Sequence, residues 1–201
     1  MNLDNLLEAM PSQPLFLIAG PCVVESKDLC MEVAETVLHL CKERGIPYVF
    51  KASYRKANRS SAASFTGIGD DQALSVLADV RSTYAIPVLT DIHNEAEAQK
   101  AAASVDVLQI PAFLARQSDL LQAAARTGRW VNIKKGQFMS PSSMKFAADK
   151  VSQEGNQRIW LTERGSQFGY HDLVVDFRSV PIMQGLGYPV VVDITPSLQR
   201  P

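Results

Sequence analysis

Tyr48–Ser61 reads YVFKASYRKANRSS, an apolar strand that runs straight into a loop dense with cations. Lys51, Arg55, Lys56 and Arg59 fall within nine residues, interleaved with Ser53, Asn58, Ser60 and Ser61. Four positive charges on one loop repel each other and lose hydration unless an anion gathers them. Phosphate and carboxylate suit this best, because each accepts several charge-assisted hydrogen bonds at once. The plain alternative is a solvated basic turn. Other parts of the chain weigh against that alternative, because the same change from apolar run to polar loop recurs.

Candidate strands are Leu15–Gly20, Tyr48–Ser53, Pro87–Ile92, Val107–Ala112, Trp130–Lys135, Arg158–Arg164 and Val190–Thr195. They are nearly continuous in Val, Ile and Leu, the pattern of parallel strands buried on both faces. Amphipathic segments separate them. Lys27–Arg44 has Ser26 to cap it, Gly45 to end it, and an apolar face of Leu29, Val33, Val37, Leu40 and Cys41. Further helices are expected at about Asp70–Tyr84, Glu95–Ala103, Ser118–Arg126 and Pro141–Gln153, with Ser140 as cap to the last. Val175–Gly185 is weakly helical. The alternation predicts one α/β domain over residues 1–201 with a parallel sheet, either doubly wound or closed into a barrel.

The strand ends favour the barrel. The first delivers Gly20-Pro21-Cys22, the second Lys51, and the third Asp91 and His93. Gln109 and Arg116 follow from the fourth, and Lys134, Lys135 and Gln137 from the fifth. Glu163 and Arg164 end the sixth, and Asp193 the seventh. A (β/α)8 TIM barrel collects functional groups from many strand ends, whereas a doubly wound sheet concentrates them at one switch point. No GxGxxG or Walker loop argues otherwise. Lys51, Lys134 and Arg164 are expected to face one pocket with the basic loop, and Lys and Arg are seldom buried unpaired. A small ligand carrying both phosphate and carboxylate fits such a ring. The competing reading is a salt-bridge network in which Asp91, Glu163 and Asp193 neutralise the lysines.

Bulk properties narrow the class further. The chain has 201 residues, a formal net charge of −1 and 46% hydrophobic residues. It lacks the basic excess of a nucleic-acid binder. No apolar run reaches membrane-spanning length, and MNLDNLLEAM is acidic where a signal peptide is basic. Three cysteines without metal-finger spacing point to a reducing, cytoplasmic setting.

Most of the chain resembles the 3-deoxy-D-manno-octulosonate 8-phosphate synthase (2-dehydro-3-deoxyphosphooctonate aldolase) family. The resemblance rests on AGPCVVES (Ala19–Ser26), FKASYRKANRSS (Phe50–Ser61), TDIH (Thr90–His93) and QIPAFLARQSDL (Gln109–Leu120). It continues through NIKKGQF (Asn132–Phe138), TERGSQFGY (Thr162–Tyr170), LVVDFRSVPIM (Leu173–Met183) and DIT (Asp193–Thr195). The related shikimate-pathway synthase, which uses erythrose 4-phosphate, typically carries a KPRTS-like stretch where this chain has KANRS. The resemblance implies a transferase that condenses phosphoenolpyruvate with arabinose 5-phosphate, a step of lipopolysaccharide sugar synthesis, and releases phosphate. It assigns Lys51 and Lys56 to the phosphoenolpyruvate carboxylate. Lys134 and Arg164 fall to its phosphate, with Arg116 and Gln137 in support. Asn58, Arg59 and Ser60 would address arabinose 5-phosphate, and Asp91 its hydroxyls. A homotetramer is implied too, with Arg59 reaching across a subunit boundary.

The family has a metal-dependent and a metal-independent class. Cys22, in GPCVVES, resembles the metal class and implies a divalent zinc, iron or manganese ion. Two departures cut against this. Pro196, in DITPSLQ, stands where the metal class places a histidine ligand, and proline offers no donor. The chain also ends at Pro201, just past the seventh strand, before the family's acidic ligands and eighth unit. The expected fold is therefore an incomplete (β/α)8 barrel. The alternatives are the erythrose-using synthase and a non-catalytic truncated paralogue that binds phosphorylated ligands.

Overall fold

The computed structural model describes residues 3–9, 15–57, 64–167 and 172–195. Helix α1 (Leu3–Ala9) precedes seven strands that alternate with helices. These are β1 (Leu17–Ala19), α2 (Lys27–Glu43), β2 (Tyr48–Lys51), α3 (Asp70–Tyr84), β3 (Val88–Asp91), α4 (Glu95–Ala102) and β4 (Val107–Ile110). They are followed by α5 (Ser118–Arg126), β5 (Trp130–Lys134), α6 (Met144–Ser152), β6 (Ile159–Glu163), α7 (Ser179–Gln184) and β7 (Val190–Val192). The strands lie in one sheet in chain order, β1 to β7. A parallel sheet in sequence order with a helical crossover between neighbours is the connectivity of a (β/α)8 barrel. Among the described residues seven strands are present, which makes the fold an incomplete (β/α)8 barrel.

The expected elements recur with trimmed ends. Pro141–Gln153 splits into a 3-10 turn, Pro141–Ser143, and then α6. Its cap is as expected, with Ser140 Oγ accepting from the Ser143 amide at 3.3 Å. α1 was not anticipated, because seven residues give too short a periodic window to read.

By contact density the chain divides into two compact units, Met1–Asp91 with Lys100–Val107, and Ile92–Gln99 with Leu108–Pro201. In the first, β1 pairs with β2 and β2 with β3, all parallel. Its core is Val49, Phe50, Leu74, Leu77, Val80, Val88 and Leu89, each buried. α2 starts at Ser26, whose Oγ accepts from the Leu29 amide at 3.2 Å. Asp106, 1% exposed, takes the Arg81 Nε at 2.9 Å and the Val88 amide at 3.0 Å. It therefore ties the end of α3 to the start of β3. Asp106→Ala strips both donors of this acceptor and is expected to cost about 1–3 kcal/mol in urea denaturation.

In the second unit β5 pairs with β6 and β6 with β7, again parallel. Its core is built on Ile133, Leu121, Ala148, Val151, Trp160 and Leu161. Trp160 is fully buried, and its ring lies 5.2 Å from that of Trp130 at a 39° tilt. A buried polar chain threads the strands: Thr162 Oγ1 donates to Asn132 Oδ1 at 2.6 Å, and Asn132 Nδ2 to Gln109 Oε1 at 3.3 Å.

Candidate active site

In the first unit the loops after β1 and β2 are stitched together by their backbones. The Val24 amide donates to Ser53 O at 2.9 Å, and Val23 and Ser53 form an isolated parallel bridge. Gly20 permits the approach, because a Cβ there would sit 2.1 Å from Lys51 O. Thr90, on β3, pins the β2 loop from the other side. Its hydroxyl donates to Ala52 O at 2.8 Å and accepts from the Tyr54 amide at 3.1 Å.

This scaffold presents two ammonium groups to one hydroxyl. Lys56 Nζ donates to the buried Ser53 Oγ at 2.7 Å, and Lys51 Nζ to the same oxygen at 3.3 Å. Burial pushes the Lys56 ammonium below the ordinary lysine value of 10.5, and the Lys51 charge pushes it further. Asp91, at the end of β3, and Cys22 act in the opposite direction without reversing the shift. Two cations meeting at one neutral oxygen leave positive charge that a carboxylate can complete. Arg55, from the same loop, turns instead to Asp70 at the start of α3, 3.5 Å away. It closes the loop base together with the Lys56 amide, which donates to Thr66 O at 2.8 Å. Asn58, Arg59, Ser60 and Pro196 lie outside the described residues.

The Lys56 shift predicts a pH dependence. Between its lowered pKa and 10.5 the unfolded chain holds the proton more tightly, so stability rises with pH in that window. Anion affinity moves the other way, since the neutral amine no longer attracts a carboxylate. Binding of a carboxylate anion, read by calorimetric titration, should weaken as pH rises through the lowered value. Lys56→Arg, which keeps its charge, should erase that inflection in the pH dependence of affinity.

The second unit holds three more cations at strand ends. Lys134 Nζ pairs with Asp193 Oδ2 at 2.7 Å, their side chains 21% and 19% exposed. Burial alone would raise the Asp193 carboxyl, but Lys134, the Thr195 amide and Arg164 together hold it below the usual range. Lys135 is fully buried, 3.6 Å from the Glu163 carboxylate. The salt-bridge network weighed above therefore exists for these two lysines. Arg164 differs. Its Nε and Nη1 are buried with no hydrogen-bond partner among the described residues, and burial pushes its guanidinium down despite Asp193 and Glu163. Gln137 is half-buried beside a cavity of about 320 Å³ that it lines with Phe113, Phe138 and Gln167. Arg116 is exposed, and its carbonyl accepts from Lys150 Nζ at 3.1 Å.

His39, His93, Cys30 and Cys41 have structural surroundings. His93 sits at the start of α4, its amide donating to Glu97 Oε2 at 2.7 Å while Asn94 Oδ1 accepts from the Glu97 amide at 3.2 Å, a capping arrangement. His39 is exposed beside Glu43, and His171 lies outside the described residues. Cys30 and Cys41 are buried. Burial pushes the Cys30 thiol up to about 11, which makes it a poor nucleophile or ligand at neutral pH. Cys22 is exposed. Among the described residues no three His, Cys, Asp or Glu side chains gather as a metal site needs.

Comparison with known proteins matches this arrangement to a family. The model of the DAHP synthetase I family matches residues 11–201. A protein of Koribacter versatilis is 56% identical over 187 residues, 93% of this chain and 67% of that protein. One of a Cyanothece strain is 54% identical over 94% of this chain and 69% of its own length. One of Desulfatibacillum aliphaticivorans is 51% identical over 100% of this chain and 73% of its own. All three are named 2-dehydro-3-deoxyphosphooctonate aldolase. The chain belongs to the DAHP synthetase I family, in its phosphooctonate aldolase branch. KANRS, the stretch that set it apart from the erythrose-using branch, agrees with that placement.

Sequence reasoning missed Lys135 as a buried partner of Glu163. A signal existed, because consecutive residues of a strand point to opposite faces, so Lys134 and Lys135 were never equivalent. It also missed Ser53 and Thr90, whose hydroxyls matter only once β2 and β3 are neighbours.

Proposed function

We propose that the chain condenses phosphoenolpyruvate with arabinose 5-phosphate and water to give 3-deoxy-D-manno-octulosonate 8-phosphate and inorganic phosphate. The observation that carries this reading is half-buried Arg164, whose Nε and Nη1 are buried with no hydrogen-bond partner among the described residues. Such donors are costly to leave unmet, and a phosphoryl group meets them. In the second unit, Lys134 and Arg164 take the role of phosphoryl ligands. In the first, Lys51 and Lys56 take that of carboxylate ligands.

The chemistry asks for positioning and fixed charge. The enol carbon attacks the sugar aldehyde, forming the C–C bond, and the aldehyde oxygen gains a proton. Water adds to the cationic carbon left behind. The C–O bond to phosphate then breaks, and its electron pair leaves with the phosphate while the ketone forms. Cations already desolvated and held in place stabilise the departing charge with little reorganisation.

Phosphate release from phosphoenolpyruvate should depend on arabinose 5-phosphate. Faster release with erythrose 4-phosphate would transfer the chain to the shikimate-pathway reaction. Arg116 and Gln137 are proposed to support the phosphoryl side, Asp91 the sugar hydroxyls, and Asn58, Arg59 and Ser60 the sugar phosphate. A cytoplasmic homotetramer is the proposed working form, checked by sedimentation. Among the described residues no helix is long and apolar enough to cross a membrane. Retention of a divalent metal through Cys22 is read by elemental analysis, and equal metal in wild type and Cys22→Ala removes Cys22 as a ligand.

A further inference from the structure

We propose that the buried Lys135–Glu163 pair is a positioning clamp that fixes the Gly165 peptide and thereby aims the Arg164 guanidinium at its anion. The inference rests on the reading that Arg164 grips a phosphoryl group.

The contacts leave the loop little freedom. Glu163 Oε1 accepts from the Gly165 amide at 2.6 Å, which holds the peptide unit that directly follows the Arg164 Cα. Lys135 Nζ donates to Gly165 O at 3.0 Å and to Ser166 Oγ at 3.1 Å, which holds the next peptide unit. Lys135 and Glu163 are 3.6 Å apart, with side chains 0% and 1% exposed. Beyond them, Ser166 and Val174 exchange backbone hydrogen bonds of 2.8 and 2.9 Å. Gly165 itself has φ +90°, and a Cβ there would meet Leu173 Cβ at 3.2 Å. Glycine adopts this φ without strain, and its backbone is correspondingly free to leave it unless held.

A buried ion pair is a weak source of stability, since an apolar pair of similar volume often serves as well. Its use here is geometric. A guanidinium that must meet a phosphoryl group needs its backbone held to within about 0.5 Å. The Lys135 ammonium is directed at Gly165 O, Ser166 Oγ and the Glu163 carboxylate, all groups of this loop and its strand. It acts through Arg164.

The test is a double-mutant cycle of Lys135→Met and Arg164→Ala, read as kcat/KM for phosphoenolpyruvate with calorimetric affinity alongside. Lys135→Met should lower kcat/KM at least about tenfold in the wild-type background and less than about twofold once Arg164 is alanine. The KM for the sugar phosphate should change far less in either background. Should Lys135→Met alone fail to fold, the double variant Lys135→Met with Glu163→Leu removes the stranded carboxylate and should show the same loss. Equal fractional losses in both backgrounds, or an apolar pair that leaves kcat/KM intact, would overturn the clamp while leaving the proposed reaction standing. A wild-type protein that binds no phosphoenolpyruvate overturns both.

Discussion

Arg164→Ala should weaken phosphoenolpyruvate binding more than any other single change in the second unit. The guanidinium has already lost much of its hydration, and its Nε and Nη1 have no hydrogen-bond partner among the described residues. Removing one member of a desolvated charge pair costs about 2–5 kcal/mol in complexes of this kind. That corresponds to a drop in kcat/KM of about thirtyfold to several thousandfold. The stability effect should have the opposite sign or none. Burial disfavours this charge in the folded chain, so alanine relieves a penalty. Asp193 keeps Lys134 as its partner at 2.7 Å and is not stranded. Calorimetric titration with phosphoenolpyruvate and a thermal melt of the same sample separate the two effects. An affinity within about threefold of wild type would remove Arg164 from the phosphoryl site.

Trp160→Ala should be the most damaging core substitution. Trp160 is fully buried in the middle of β6, which pairs with β5 on one side and β7 on the other. Its ring packs against Trp130 in a tilted aromatic pair. Alanine removes this area and leaves a cavity that paired strands cannot collapse to fill, at a cost of about 3–5 kcal/mol. Against a total stability of about 5–15 kcal/mol this is a large share. A melting point lower by roughly 6–20 °C is expected for a chain of this length. Near-ultraviolet dichroism should lose the signal of the tryptophan pair before the far-ultraviolet signal changes. A melt within about 2 °C of wild type would show that the layer repacks.

The strand–helix alternation, the caps at Ser26 and Ser140, and the family motifs were legible in one dimension because each is a local signal. Apolar runs, caps and turn residues act on their own neighbours in sequence. So were the charges at the strand ends, since parallel connectivity brings every strand's C-terminal end to one edge of the sheet. What each charge does was not legible, because burial and pairing are set by residues far away in sequence. Arg55, Lys134 and Lys135 read alike as cations. Folding spends Arg55 on Asp70, Lys134 on Asp193 and Lys135 on Glu163 and the Gly165 carbonyl. Among the described residues it leaves Arg164 Nε and Nη1 without a hydrogen-bond partner, and it makes two lysines share the Ser53 hydroxyl. The order of the seven strands, the helices between them and the family were all readable from the chain alone. Which cations pair with carboxylates came from the fold, because desolvation and distance exist only once the strands are side by side.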